Sequence, residues 1–152
     1  MEPMHDAALR ADAPEGEIGL VAPQRAVFPD GITLTDGQRL APVEAAYETY
    51  GTLAPDKSNV VLLCHALSGG AHAAGRHHPD ERKPGWWDLY IGPNKALDTN
   101  RFFVICVNVL ASPYGTTSPL SVDPATGEPY HLNFPPIRVA DWVELELSLI
   151  HI

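Results

Sequence analysis

The sequence predicts an α/β fold that is incomplete: N-terminal antiparallel strands lead into the start of a mostly parallel sheet. Three observations carry this. Short, partly alternating runs between Ile18 and Tyr50 are separated by turn signals. Two nearly unbroken apolar runs follow, NVVLLCHA and RFFVICVNVL (Arg101 to Leu110). About 34 residues lie between those two runs, ample for a crossover connection.

The elements follow in order. IGLVAPQRAVF, ITL and RLAPVEAAYETYG read as two or three antiparallel strands, one face packed and one wet, with turns at Pro29-Asp30-Gly31 and Asp36-Gly37. The two apolar runs suit strands covered on both faces, as in a parallel sheet with flanking helices. GWWDLYIGPNKALDTN between them predicts a helical turn or two, with Trp86, Trp87 and Leu89 packed inward. After Leu110 comes a long stretch rich in Pro, Gly, Ser and Thr. A loop of that length is uncommon in a compact domain, so it is either functional or covered by other parts of the fold. IRVADWVELELSLIHI starts a helix near Val139, with Val139, Trp142, Val143, Leu145 and Leu149 at helical spacing. Two parallel strands do not complete a doubly wound domain, so this is a small odd fold or the front of a larger one.

Bulk properties exclude some functions. At 152 residues the chain holds one small domain with a real core. Its net charge of -9 leaves no basic patch to displace counterions from phosphates, so no nucleic-acid partner is expected. No apolar run approaches the ~18 residues of a membrane span, so no membrane partner is expected. Residues 1–17 are acidic, lack a signal pattern and read as a disordered leader, which makes the cytoplasm the default compartment. Cys64 and Cys106 sit inside apolar runs without metal-ligand spacing and read as reduced, buried thiols.

The chemistry-bearing stretch is VVLLCHALSGGAHAAG, Val60 to Gly75. In open α/β sheets ligands bind beyond the carboxyl ends of strands, where His65 and Ala66–Gly70 fall. Small residues let a ligand approach the main chain. A backbone N–H there suits an oxygen that becomes negative during acyl transfer, and losing such a donor raises the barrier by about 3 kcal/mol. His65 would then hold the loop by hydrogen bonds. A plain strand-to-loop turn remains open on this stretch alone.

SNVVLLCHALSGGAHAAG, GWWDLYIGPNKALDTNRFFVICVNVL, SPYGTTSPLSVDPATGEPY and NFPPIRVADWVELE together resemble consecutive segments of homoserine O-acetyltransferases, as does AYETYGTLAPDKSN. The resemblance runs from about Ile18 to Glu146. It implies an α/β-hydrolase fold and transfer of an acyl group from acyl-coenzyme A to the hydroxyl of homoserine, in methionine biosynthesis. No permanently bound cofactor is implied; acetyl-CoA or succinyl-CoA is the donor substrate. A serine acceptor stays open as well, and the full-length enzyme is implied to be a homodimer. His65 to Gly69 match the family's turn, which assigns one oxyanion N–H to the main chain of Leu67. Ala66, Ser68, Gly69, Tyr114 and Thr116 are the corresponding pocket-loop candidates, with buried packing the competing role for Tyr114 and Thr116.

The fold's nucleophile sits on a Gly-x-Ser-x-Gly elbow, and no serine of this chain has those flanks. The resemblance places the elbow, the acid and the histidine of the triad beyond the helix near Val139. Residues 18–146 therefore read as an N-terminal portion, inactive alone. The resemblance stops after Glu146, and residues 147–152, LSLIHI, resemble a translated transposon-end sequence and are expected to be a non-native tail. Other readings are a serine O-acyltransferase or esterase on the same fold, and a non-catalytic truncated relic. No metal site is expected: the adjacent histidines of GRHHPD point apart, and no ligand pair has helical i,i+4 spacing.

Overall fold

The computed structural model describes residues 15–150. Its strands are β1 (Gln24–Phe28), β2 (Ile32–Thr33), β3 (Arg39–Leu40), β4 (Val43–Tyr50), β5 (Val60–Leu63), β6 (Ile91–Gly92), β7 (Leu97–Asp98) and β8 (Phe103–Val107). One α-helix, α1 (Val139–Ile150), follows a short 3-10 turn at His131–Asn133. The main sheet has the order β1-β4-β8-β5, and β2-β3 and β6-β7 form small ladders. The predicted progression from antiparallel to parallel pairing is present: β1 pairs antiparallel with β4, and β5 parallel with β8.

The chain divides into two compact units. The first holds the residues up to Pro23, Glu48–Cys64 and Ala71–Cys106; the second holds Gln24–Tyr47, His65–Gly70 and the chain from Val107 onward.

In the first unit β5 and β8 run in register from Val60 opposite Phe103 to Leu63 opposite Cys106. β8 is buried at every position, as its aromatic and β-branched run FVICV requires of a strand covered on both faces. Its core gathers Ile18, Val21, Tyr50, Leu63, Ile91 and Val104. Packing thus begins at Ile18, while residues 1–14 of the expected leader lie outside the described residues.

The connection from β5 to β8 matches expectation in its turn and differs in its packing. A helical turn is present, with Ile91 and Tyr90 N–H on Trp87 C=O at 3.2 and 2.8 Å, but Trp86, Trp87 and Leu89 are exposed rather than packed inward; Ile91 fills the core instead. The cause is long-range hydrogen bonding. Gly85, Trp86 and Trp87 donate their amides to the carbonyls of Gly75, His72 and Ala73 at 2.9, 3.3 and 2.7 Å, which anchors the start of this turn to the preceding loop and sets its facing. Cys64 is exposed just past β5, not buried, whereas Cys106 is buried; neither forms a disulfide.

In the second unit both predicted turns close as read, Gly31 N–H on Phe28 C=O and Gly37 N–H on Leu34 C=O, each at 2.9 Å. The expectation of one wet face fails on β4, which is buried or half-buried throughout. The long segment after Leu110 is tied down along β4. Glu44 N–H donates to Thr117 Oγ1 at 2.8 Å, Thr117 N–H returns to Glu44 C=O at 2.8 Å, and Ala46 N–H donates to Thr116 Oγ1 at 3.0 Å.

Helix α1 starts where the pattern put it, and of its five spaced apolar residues Leu145 and Leu149 are buried and Trp142 is half-buried. Asp141, Leu145, Glu146 and Leu149 turn inward, while Val139 and Val143 are exposed. Asp141 is held inside by two amides. Its Oδ2 accepts the Arg138 N–H at 2.7 Å, closing the helix start as a capping-box acid does, and its Oδ1 accepts the Thr35 N–H at 2.6 Å. Of the expected tail, 147–150 continue this helix with Leu149 buried, and 151–152 lie outside the described residues.

Candidate functional site

The strand-ending turn begins at His65, which is buried. Its Nδ1 lies 2.7 Å from the Ala66 carbonyl, and its Nε2 takes the Val109 amide hydrogen at 3.4 Å. Because Nε2 accepts, the ring proton sits on Nδ1 and is donated to Ala66, which fixes the tautomer by geometry. His65 therefore braces the turn, the role proposed for it on sequence grounds.

Gly69 N–H donates to Ala66 C=O at 2.7 Å, closing a turn with Leu67 and Ser68 at its tip. Ala66, Leu67 and Ser68 are exposed, Leu67 at 79%. Among the described residues the Leu67 amide makes no hydrogen bond. Gly70 lies against two side chains: a Cβ there would stand 3.2 Å from Asn108 Oδ1 and 3.4 Å from Tyr114 Cδ2. Asn108 Nδ2 donates to the Tyr114 carbonyl at 2.7 Å, holding Tyr114 beside the turn with its side chain exposed.

Thr116 is placed otherwise. It is buried, its hydroxyl donates to Asn108 C=O at 2.8 Å and accepts from Ala46 N–H, so it secures backbone and is not available to line a pocket. A cavity of about 190 Å³ in the same unit is lined by Val27, Val43, Glu44, Thr117 and Tyr130 among others, and by none of the turn residues.

The first unit holds a second constellation that sequence inspection missed. Glu48, 3% exposed, accepts from His77 Nε2 on Oε1 at 2.8 Å, and on Oε2 from His72 Nδ1 at 3.0 Å and the Tyr50 hydroxyl at 2.9 Å. Tyr50 Oη also lies 3.0 Å from the Ala71 carbonyl and accepts the Ala73 amide at 2.7 Å. Burial pushes the Glu48 carboxyl up, but the hydrogen bonds from His72 and His77 outweigh it and leave its pKa below the usual value. Burial pushes His72 down, yet the bond to Glu48 and the surrounding carboxylates raise it above the ordinary imidazole value. Burial, then the Glu48 charge, raise the Tyr50 phenol.

Among curated relatives, the homoserine O-acetyltransferase of Deferribacter desulfuricans is 52% identical over 136 residues, and the homoserine O-succinyltransferase of Pseudomonas putida strain KT2440 is 54% identical over 136. The chain belongs to the homoserine O-acyltransferase family. The matches cover 90% of this chain and 36% of each relative, so the chain spans about a third of the length of the homoserine O-acyltransferases it matches, at their N-terminal side. No protein-family profile matches it. Among solved structures, esterase E22 is 40% identical with a TM-score of 0.81, covering 87% of this chain and 37% of that one. The homoserine O-acetyltransferase of Bacillus anthracis is 38% identical with a TM-score of 0.80, covering 87% and 36%. These neighbours have the α/β-hydrolase fold, and the strand order here is part of it. No helix of the described residues is long and apolar enough to cross a membrane.

Proposed function

We propose that residues 18–146 form the oxyanion-hole side of an acyl-CoA-dependent homoserine O-acyltransferase acting in cytoplasmic methionine biosynthesis. In the whole enzyme, a homodimer on this reading, a serine outside these 152 residues attacks the thioester carbonyl of acetyl-CoA or succinyl-CoA. The CoA thiolate leaves, and the homoserine hydroxyl then takes the acyl group from the serine. Both tetrahedral species carry a negative oxygen, to which the Leu67 N–H donates. With no Gly-x-Ser-x-Gly in the sequence, the chain by itself turns over nothing.

The observation that carries this is the Leu67 amide: unspent among the described residues, at the tip of an exposed turn that His65 braces. A chimera tests it, with residues 18–146 replacing the matching part of the Deferribacter desulfuricans relative. It should release CoA in the presence of homoserine. Leu67→Pro, which deletes the donor, should cut kcat about 10²–10³-fold, and Leu67→Ala, which keeps it, should not. Equal losses in the two variants would refute the backbone role.

Ester hydrolysis is the second reading, favoured by the likeness to esterase E22. Fold does not choose between them. A chimera that consumes simple esters but transfers nothing to homoserine would establish hydrolysis instead.

A further inference from the structure

We propose that Glu48, His72 and His77 form a binding site for a divalent cation of the zinc class. One ligand atom from each residue lies within 4.8 Å of the other two. The Glu48 oxygens stand 2.8 Å from His77 Nε2 and 3.0 Å from His72 Nδ1. Around a tetrahedral ion with bonds of about 2.0–2.2 Å, neighbouring ligand atoms lie about 3.3 Å apart. The two Glu48–histidine contacts lie a few tenths of an ångström inside that spacing, and the three ligand atoms stay within 4.8 Å of one another, so modest side-chain rotation brings them round one ion. The sequence separation fits as well, since His72-Ala-Ala-Gly-Arg-His77 has the H-x4-H form within the usual range for zinc histidines.

The local charge suits a bound cation. A buried carboxylate is costly unless its charge is compensated. A cation held beside Glu48 compensates that charge, and Glu81 and Asp88 add further negative potential at His72. His72 Nε2, on the far side of the ring from Glu48, is buried and has no hydrogen-bond partner among the described residues.

The outer groups suit a ligand set. Tyr50 fixes Glu48 Oε2, and Glu81 Oε1 lies 3.9 Å from His77 Nδ1, the nitrogen turned away from Glu48. Glu81 Oε2 also holds the His77 amide at 2.6 Å. The His72 and His77 side chains are 23% and 31% exposed, which leaves a solvent side for a water ligand. Imidazole with carboxylate suits Zn²⁺ or Co²⁺ better than the hard cations Mg²⁺ and Ca²⁺.

The test is titration of the metal-free 152-residue chain with Co²⁺ alone, then Zn²⁺. One equivalent of Co²⁺ should give a saturable visible band that Zn²⁺ abolishes, and Zn²⁺ should raise the melting temperature. His77→Gln, whose amide can still bond Glu48, should weaken Co²⁺ binding more than about tenfold, the least loss expected even for an outer-shell partner. His78→Gln should leave it unchanged. If the metal-free chain lacks a near-UV circular dichroism signal, its appearance on adding Zn²⁺ supports the site. The proposal fails if no saturable band or near-UV change forms, or if a folded His77→Gln chain binds Co²⁺ as tightly as the parent.

Discussion

The Nε2 of His65 accepts the amide hydrogen of Val109, so one imidazole ties the turn bearing Leu67 to the backbone just past β8. Replacing His65 with Ala strands a buried amide and frees the Ala66 carbonyl. Unpaired buried polar groups cost about 1–3 kcal/mol each, so His65→Ala should lower unfolding free energy by about that much. Urea denaturation measures it. Hydrogen exchange at Val109 should accelerate, and His65→Gln should recover part of the loss. Unchanged exchange at Val109 would contradict the brace.

Thr116 and Ala46 set the next expectation. The Thr116 hydroxyl joins Ala46 N–H to Asn108 C=O inside the protein. Thr116→Val keeps the shape and removes both bonds, so stability should fall by about 1–3 kcal/mol. A loss confined to catalysis in the chimera, with an unchanged urea midpoint, would return Thr116 to the pocket wall.

These residues also show what the sequence could and could not display. Strand runs were legible because β8 is covered on both faces and its apolar pattern is unbroken. The turn at His65 was legible because small residues follow a strand end. In the connection before β8 the turn was legible but its facing was not, because the amides of Gly85, Trp86 and Trp87 bond to carbonyls about ten residues or more away, which no local propensity encodes. In α1 the apolar spacing marked Leu145 and Leu149, which are buried, but not Asp141, which two amides satisfy inside. The Glu48 cluster was hidden for the same reason: a strand residue and two loop histidines meet only in the fold.

Stability should vary with pH through that cluster. In the folded state His72 has a raised pKa, so its contribution is complete below its ordinary value of 6.5 and is lost as pH climbs through the folded value. Glu48 has a lowered one, so its contribution is complete above its ordinary 4.5 and is lost as pH drops through the folded value. Asp141, lowered by its two amide bonds against the opposing effect of burial, adds to the acid limb. Metal-free chain should be most stable between those values and weaken on both sides. Urea midpoints across that range check this; His72→Gln should flatten the alkaline decline and also shrink the acid one, because His72 helps hold the Glu48 carboxyl down, leaving the Asp141 share.

The loop carrying His72 rests on a glycine chosen for space. A Cβ at Gly85 would stand 2.3 Å from Ala73 C and 2.3 Å from Ala74 N, inside van der Waals contact with rigid backbone. Gly127 offers the opposite case: φ is +75°, yet nothing lies within 4 Å of its Cβ direction. Gly127→Ala should therefore cost only left-handed strain, about 1–2 kcal/mol. Gly85→Ala must push apart the backbone that pairs Trp87 N–H with Ala73 C=O, an overpacking penalty of about 3 kcal/mol or more. Because Ala73 follows His72 directly, the same displacement should weaken Co²⁺ binding, while Gly127→Ala leaves it alone. Equal thermal shifts for the two variants would show that close backbone approach at Gly85 does not govern the loop.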